Sequence, residues 1–425
     1  MTLSITSINN SNTLQPRAVF TDYYPPMDVL RLICFFLDDA KDVAHLGLAN
    51  RHLTILFSRT ELWNSFLKKH FPSSYAQFKS RTEGFSLYKR LIDIEQQIKS
   101  GKCRFRTFKG HQGVITCMTI WNNKLISGSN DLTIKIWNLN TRKLLRTLKG
   151  HCGWVNCMTI WNDHLISGSH DGTIKIWNLK EPLQKILPQT LKGHCGWIRC
   201  MRIRGDKLIS GSTDHTIKIW DLNTGQELLT LKGHCGWVNC IIIWNDKLIS
   251  GSDDREIKIW NLDTGQELQT LKGHQGNIRC MTILNDKLIS GSEDYKIKIW
   301  DLNTGQEVWT LKAHQHLIFC MITWNDKLIS GSNDHTIKIW NLDTGQEVWT
   351  LRGHQGLIRC MTIFNDKLIS GSDDHTIKIW DPSTGQELQT LKWHRDWIYC
   401  MTTLGDNNLI SGSVDHTIRL WNFHS

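Results

Sequence analysis

From residue 102 onward, apolar and polar residues alternate with period two in short runs bounded by turn residues. Ile174-Lys175-Ile176-Trp177 follows Ser-His-Asp-Gly, and Leu248-Ile249-Ser250 follows Asn-Asp-Lys. Residues two apart share one face of an extended chain, so each run predicts a short β-strand. The runs themselves recur. His111, His151, His194, His234, His274, His314, His354 and His394 are spaced 40, 43, 40, 40, 40, 40 and 40 residues apart, and a tryptophan follows each about 26 residues later, from Trp137 to Trp421. Eight units of this size, each with room for four strands, predict a mainly β fold. Thr224-Gly225, Thr264-Gly265, Thr304-Gly305, Thr344-Gly345 and Thr384-Gly385 supply hairpin turns, where glycine adopts a positive φ without a steric penalty.

The two ends of this region are complementary. Cys103 to Phe108 reads as an outermost strand lying ahead of the first unit, and the last unit stops four residues after Trp421, before its own outermost strand. Pairing the first strand into the last unit removes two exposed sheet edges and closes a ring. Eight blades over 102–425, closed by strand exchange, are therefore expected.

The first hundred residues follow another period. Leu30, Ile33, Cys34 and Leu37 are spaced as on one helix face while Val29, Leu32 and Phe36 fill the other, and a helix apolar all round must bury both sides. Asp28, Asp39 or Asp42, and Thr60 are candidate caps for three short helices, the later two carrying Val43, Leu46, Ala49, Leu53 and Leu56, then Leu62, Trp63, Phe66 and Leu67. Expected here are a small all-α domain over 21–71 and a helical connector over 72–101, the latter carrying Phe85, Tyr88, Leu91, Ile94 and Ile98. A disordered leader is expected over 1–20. No run approaches the ~18 apolar residues of a membrane span, since Val29 to Leu37 is broken by Arg31.

Residues 102–425 resemble the WD-repeat propeller family in the Gly-His, the Ser-Gly-Ser-x-Asp turn and the Trp-Asp or Trp-Asn ending of each unit, with the Gly replaced only at Ala313 and Trp393. The resemblance implies an eight-bladed β-propeller whose blades are each framed by a His, Ser, Asp, Trp tetrad, in the fourth His234, Ser250, Asp254 and Trp260. The order Pro25-Pro26, Val29-Leu30, Ile33, Phe36-Leu37, Leu46-x-Leu48-Ala49-Asn50-Arg51, Leu62-Trp63 resembles the F-box. An F-box ahead of a WD-repeat propeller is the domain order of substrate receptors of cullin-type ubiquitin ligases. It implies a Skp-type adaptor docking on Pro26, Val29, Leu30, Ile33 and Leu37, a target peptide or degron held by the propeller, and no cofactor. A helical cap on a plain interaction scaffold remains open on the residues alone.

Composition narrows the chemistry. The net charge of +10 is local: residues 102–150 carry ten Lys and Arg against Asp131 alone, whereas 151–425 hold 28 basic and 30 acidic residues. A nucleic-acid groove needs a continuous basic stripe, so a solvated edge is the favoured reading of that segment. Eight of the 13 cysteines recur at one repeat position, which reads as reduced thiols in a cytosolic chain. His-Cys-Gly-Trp-x-x-Cys appears at His151, His194 and His234, but its spacing is not that of four ligands around one zinc ion. Ser, His and Asp occur in all eight units, and eight equal copies imply scaffolding where an active site is one constellation in one pocket. No catalysis by the chain itself is expected.

Among near-identical units, the informative residues are those that vary. Three before the repeated Cys stand Val114, Trp154, Trp197, Trp237, Asn277, Leu317, Leu357 and Trp397; immediately before it, Thr116, Asn156, Arg199, Asn239, Arg279, Phe319, Arg359 and Tyr399. Before the tetrad Asp stand Asn130, His170, Thr213, Asp253, Glu293, Asn333, Asp373 and Val414. By resemblance these places line the top face around the central channel, which makes Trp154, Trp197, Arg199, Trp237, Arg279, Arg359, Trp397 and Tyr399 candidate target contacts, of the types enriched in binding hot spots. Trp154, Trp197 and Trp237 fall on consecutive blades, as one apolar shelf or as rim packing. Glu293 and Asp373 share blades with Arg279 and Arg359 and predict paired arginines, whereas Arg199, opposite Thr213, is expected to be free. A phosphorylated degron and an aromatic-anchored unphosphorylated motif both remain open.

Overall fold

A computed structural model describes residues 104–180, 188–405 and 408–423. The domain expected over 21–71, the connector over 72–101 and the leader over 1–20 lie outside the described residues, as do Pro26, Val29, Leu30, Ile33 and Leu37.

The described residues form 32 strands in eight four-stranded antiparallel sheets. The first blade runs outward through β2 (Ile115–Trp121), β3 (Lys124–Ser129), β4 (Ile134–Asn138) and β5 (Leu144–Leu148), and six more repeat this order. The eighth consists of β30 (Ile398–Leu404), β31 (Asn408–Ser413), β32 (Thr417–Asn422) and, as its outermost strand, β1 (Arg104–Lys109). β1 pairs antiparallel with β32, setting Arg104 against Asn422 and Phe108 against Ile418. The strand exchange expected from the chain ends is thus present. Innermost strands pack on one another around the ring, β2 on β6 (Val155–Trp161) and β30 back on β2.

The invariance of Leu-Ile-Ser-Gly-Ser in all eight blades follows from burial. Both the Leu and the Ile of this segment are fully enclosed in every blade, the Ile against the following blade and the Leu against the preceding one. One such layer joins Ile209, Ile217, Ile219 and Leu231 to Val238, Ile241, Leu248 and Trp260 of the following blade. The glycine is required by close approach: a Cβ on Gly251 would lie 2.6 Å from Ile278 Cγ2 and 3.0 Å from Cys240 Sγ. The Thr-Gly turns take the expected conformation, with φ +73° at Gly225.

Each blade is pinned by its tetrad. In the fourth, His234 Nδ1 lies 2.6 Å from Asp254 Oδ2, His234 Nε2 2.7 Å from Ser250 Oγ, and Trp260 Nε1 2.8 Å from Ser250 Oγ. Trp can only donate and a carboxylate can only accept, so the chain runs one way: Trp260 donates to Ser250, Ser250 to His234, and His234 to Asp254. All eight tetrads are complete. Burial raises the carboxyl pKa of Asp294, but hydrogen bonding and charge from His274, with two backbone N–H groups, outweigh it and hold it at about 2.

Candidate functional site

The residue immediately before each repeated Cys is the extra residue of a β-bulge. In all eight blades the register between the two innermost strands slips there, as between Ile198 and Cys200 around Arg199. A bulged residue leaves the ladder and its side chain is re-aimed, which frees this place to vary while its neighbours cannot.

Two uses of the bulge can be told apart. Asn156 and Asn239 turn their amides to the next blade, donating to Ile198 O and Ile278 O at 3.0 Å, and Thr116 donates to Val155 O. These are structural staples. Arg199, Arg279, Phe319, Arg359 and Tyr399 send their side chains elsewhere. The Cys beside the bulge is also a staple, as where Cys400 Sγ donates to Ile115 O at 3.5 Å across the ring closure. Burial pushes the thiols of Cys117, Cys200, Cys280 and Cys360 up to about 12, far from nucleophilic thiolate. His151, His194 and His234 each spend both ring nitrogens in a tetrad, which removes them as metal ligands.

The other two variable places meet through the backbone. The N–H before each tetrad Asp donates to the carbonyl three before the repeated Cys: His170 to Trp154, Thr213 to Trp197, Asp253 to Trp237 and Val414 to Trp397, at 2.9–3.0 Å. These four indoles are 49, 42, 40 and 42 % exposed, unlike the buried tetrad tryptophans.

Trp154, Trp197 and Trp237 do form one surface, and it includes His170, which repeat comparison placed among the varying residues but not among the candidate target contacts. His170 stacks against Trp154 at 4.9 Å and against Trp197 at 4.2 Å, only 4° from parallel with the latter, and Trp197 continues to Trp237 at 6.1 Å. The imidazole fills the gap between two blades. Burial, and then the charge of Arg199, lower the His170 pKa and favour the neutral ring.

The three arginines have different surroundings. Arg279 is held by Glu293, with Nε donating to Oε1 at 2.7 Å, and lies 3.6 Å from Asp253 of the preceding blade. Arg359 makes a two-pronged pair with Asp373, its Nη2 donating to Oδ2 at 3.0 Å and its Nε to Oδ1. Its guanidinium also lies 5.6, 4.6 and 5.4 Å from the rings of Phe319, Trp397 and Tyr399, so Trp397 and Tyr399 serve as walls around an internal ion pair. Arg199 has no carboxylate partner among the described residues; its Nη2 donates to Asn239 Oδ1 at 3.2 Å and its guanidinium lies 6.0 Å from Trp237.

Comparison with known proteins agrees with this architecture. Residues 102–138, 142–178, 186–221, 225–261, 265–301, 305–341, 345–381 and 385–422 match the family described as "WD domain, G-beta repeat". Proteins named "Probable E3 ubiquitin ligase complex SCF subunit sconB" align with short segments. That of Neosartorya fischeri is 32 % identical over 103 residues, 24 % of this chain and 13 % of the relative, and that of Emericella nidulans 38 % over 65 residues, 15 % and 10 %. The aligned part of the chain thus spans about an eighth or less of these relatives. The crystal structure of the computationally designed Ika8 protein matches at 34 % identity and TM-score 0.69, over 74 % of this chain and 98 % of that one. The WD40 propeller domain of Doa1, 23 % identical with TM-score 0.54 over 75 % and 96 %, shares the fold. With eight matched repeats, a complete tetrad in every blade and a ring closed by its own first strand, the chain belongs to the WD-domain, G-beta-repeat family.

Proposed function

We propose that the chain is a substrate-recognition subunit of an SCF-type ubiquitin ligase. The carrying observation is that exposed Trp154, Trp197 and Trp237, with Arg199, gather on one stretch of otherwise repetitive blades. Exposed aromatic clusters of this kind favour protein contacts. The names of the partial relatives and the F-box-like order of Pro26, Val29, Leu30, Ile33 and Leu37 support the ligase setting. In this reading a Skp-type adaptor docks on those N-terminal residues and links the chain to a cullin ligase, while the propeller holds a target peptide. The chain contributes placement, raising the effective concentration of a target lysine near the charged conjugating enzyme. Transfer chemistry belongs to the partner subunits, and the work takes place in the cytosol.

The test is capture of a purified Skp-type adaptor by the full chain. Wild type is expected to retain it, and Leu30→Asp or Ile33→Asp to lose it with an unchanged melting temperature of the propeller. Absence of capture by wild type would leave an interaction scaffold without a ubiquitin role.

A further inference from the structure

The bulge arginines at the mouth of the ring differ in their partners. Of the three, Arg279 and Arg359 are already neutralised by Glu293 and Asp373, and Asp253 stands beside Arg279 and accepts from Asn239 Nδ2 at 2.6 Å. A phosphate of charge near −2 brought to either arginine would meet a carboxylate in the place it must occupy. It would also have to break the two-pronged Arg359–Asp373 pair, which already fills the fork that a phosphate would use.

One place differs. Beside Arg199 the position before the tetrad Asp is Thr213, whose hydroxyl accepts from the backbone N–H of Trp197 at 2.8 Å. No acid among the described residues pairs with this guanidinium. Its neighbours are Trp237 and Asn239, and its charge acts on His170. Flat, half-exposed indoles and a cation with no carboxylate partner among the described residues therefore lie side by side.

Resting on the reading of this face as the target-binding surface, we propose that it recognises an unphosphorylated segment that lays an aromatic or prolyl ring on the Trp154–His170–Trp197–Trp237 shelf and presents one Asp or Glu carboxylate to Arg199. The shelf supplies a large apolar contact at little conformational cost, because the His170 ring is already stacked between Trp154 and Trp197. Arg199 adds a single charge-assisted hydrogen bond that fixes direction. Arg279 and Arg359 with their carboxylates rigidify other parts of the mouth and disfavour anions there.

The experiment probes the full chain with two synthetic peptide arrays of the same sequences, one unmodified and one carrying phosphoserine, phosphothreonine or phosphotyrosine at every hydroxyl residue. Retained peptides are expected to pair an aromatic residue or proline with a nearby Asp or Glu, and phosphorylation to change retention by less than about threefold. Trp197→Ala and Arg199→Ala are expected to weaken retained peptides by about tenfold or more, and Arg279→Ala by less than about threefold. Trp197→Phe, which keeps a ring, should retain most binding and so separates contact from a folding defect, with the melting temperature recorded for each variant. Retention confined to phosphorylated peptides and lost with Arg279→Ala or Arg359→Ala would overturn the proposal, as would retention indifferent to Trp197 and Arg199, or none on either array. Adaptor capture through Leu30 and Ile33 is scored separately, so loss of the ligase reading and loss of this specificity are distinguishable.

Discussion

The imidazole of His170 lies flat on the indole of Trp197, 4.2 Å between centroids and 4° from parallel, with Trp154 against its other face. Two blades are bridged by a side chain that belongs to the repeat turn of one of them. Because burial and then the charge of Arg199 disfavour the imidazolium, His170 is expected to titrate below an ordinary histidine, and Arg199→Ala to move it back upward. An NMR titration of the His170 ring in both proteins checks this; identical midpoints would show that Arg199 does not act on the shelf.

The tetrads make stability depend on their weakest member. Ser290→Ala strands the Trp300 N–H and removes the donor to His274 Nε2 in a buried site. A loss of about 2–4 kcal/mol in urea unfolding is expected. A loss below about 0.5 kcal/mol would mean that the tetrad is ornament.

Acid should unfold the ring in a predictable window. Asp294 is held at about 2 in the folded protein against an unfolded carboxyl near 4. Its contribution is therefore fully present above about pH 4 and lost as pH falls toward 2. His394, lowered mainly by burial and despite Asp415, works in the same direction from below the ordinary imidazole range. Asp294→Asn is expected to be less stable than wild type at pH 6 and to show a shallower fall in melting temperature between about pH 4 and 2. Parallel pH profiles for the two proteins would contradict this.

The residue after each tetrad Asp is left-handed in every blade. Gly172 has φ +76° there, while His335 sits at +65° and Arg255 at +72°. A side chain pays a steric cost in this region that glycine avoids. His335→Gly is accordingly expected to be more stable than His335→Ala by about 1 kcal/mol, measured by chemical denaturation.

Blade 1 lacks an ion pair that other blades have. Opposite the tetrad Trp on the outer strand, blade 3 places Glu227, which holds Lys218 Nζ at 2.8 Å; blade 1 places Leu144, and Lys135 Nζ reaches Thr147 Oγ1 at 2.9 Å. Burial lowers the Lys135 pKa. Leu144→Glu should raise stability by about 0.5–1 kcal/mol at low salt, with the gain shrinking in ~1 M salt. A destabilised variant would show that the Leu144 side chain matters more than the missing carboxylate.

How far the sequence carried these conclusions depends on repetition. Strands, tetrads, Thr-Gly turns and the exchange of β1 were legible because each recurs, eight times for the tetrads and five for the turns, or marks where the repeat begins and ends. The Arg279–Glu293 and Arg359–Asp373 pairs were legible too, since both partners vary within one blade. The bulge was not, because an extra residue shows itself only in the pairing of two strands, and its composition changes from Thr116 to Tyr399. Contacts between blades were equally hidden. His170 on Trp197, Asp253 near Arg279, and the Phe319, Trp397 and Tyr399 walls around Arg359 join residues of different blades, and which side chains meet there depends on their direction, which repeat spacing alone does not give.

The most direct test of the ring's mouth as the binding surface is hydrogen–deuterium exchange of the full chain, with and without a saturating peptide retained on the array. Slowed exchange is expected in the backbone of 154–157, 168–172, 197–200, 212–215 and 237–240. Protection confined to the outer strands, such as β5 and β1, with those segments unchanged, would contradict it.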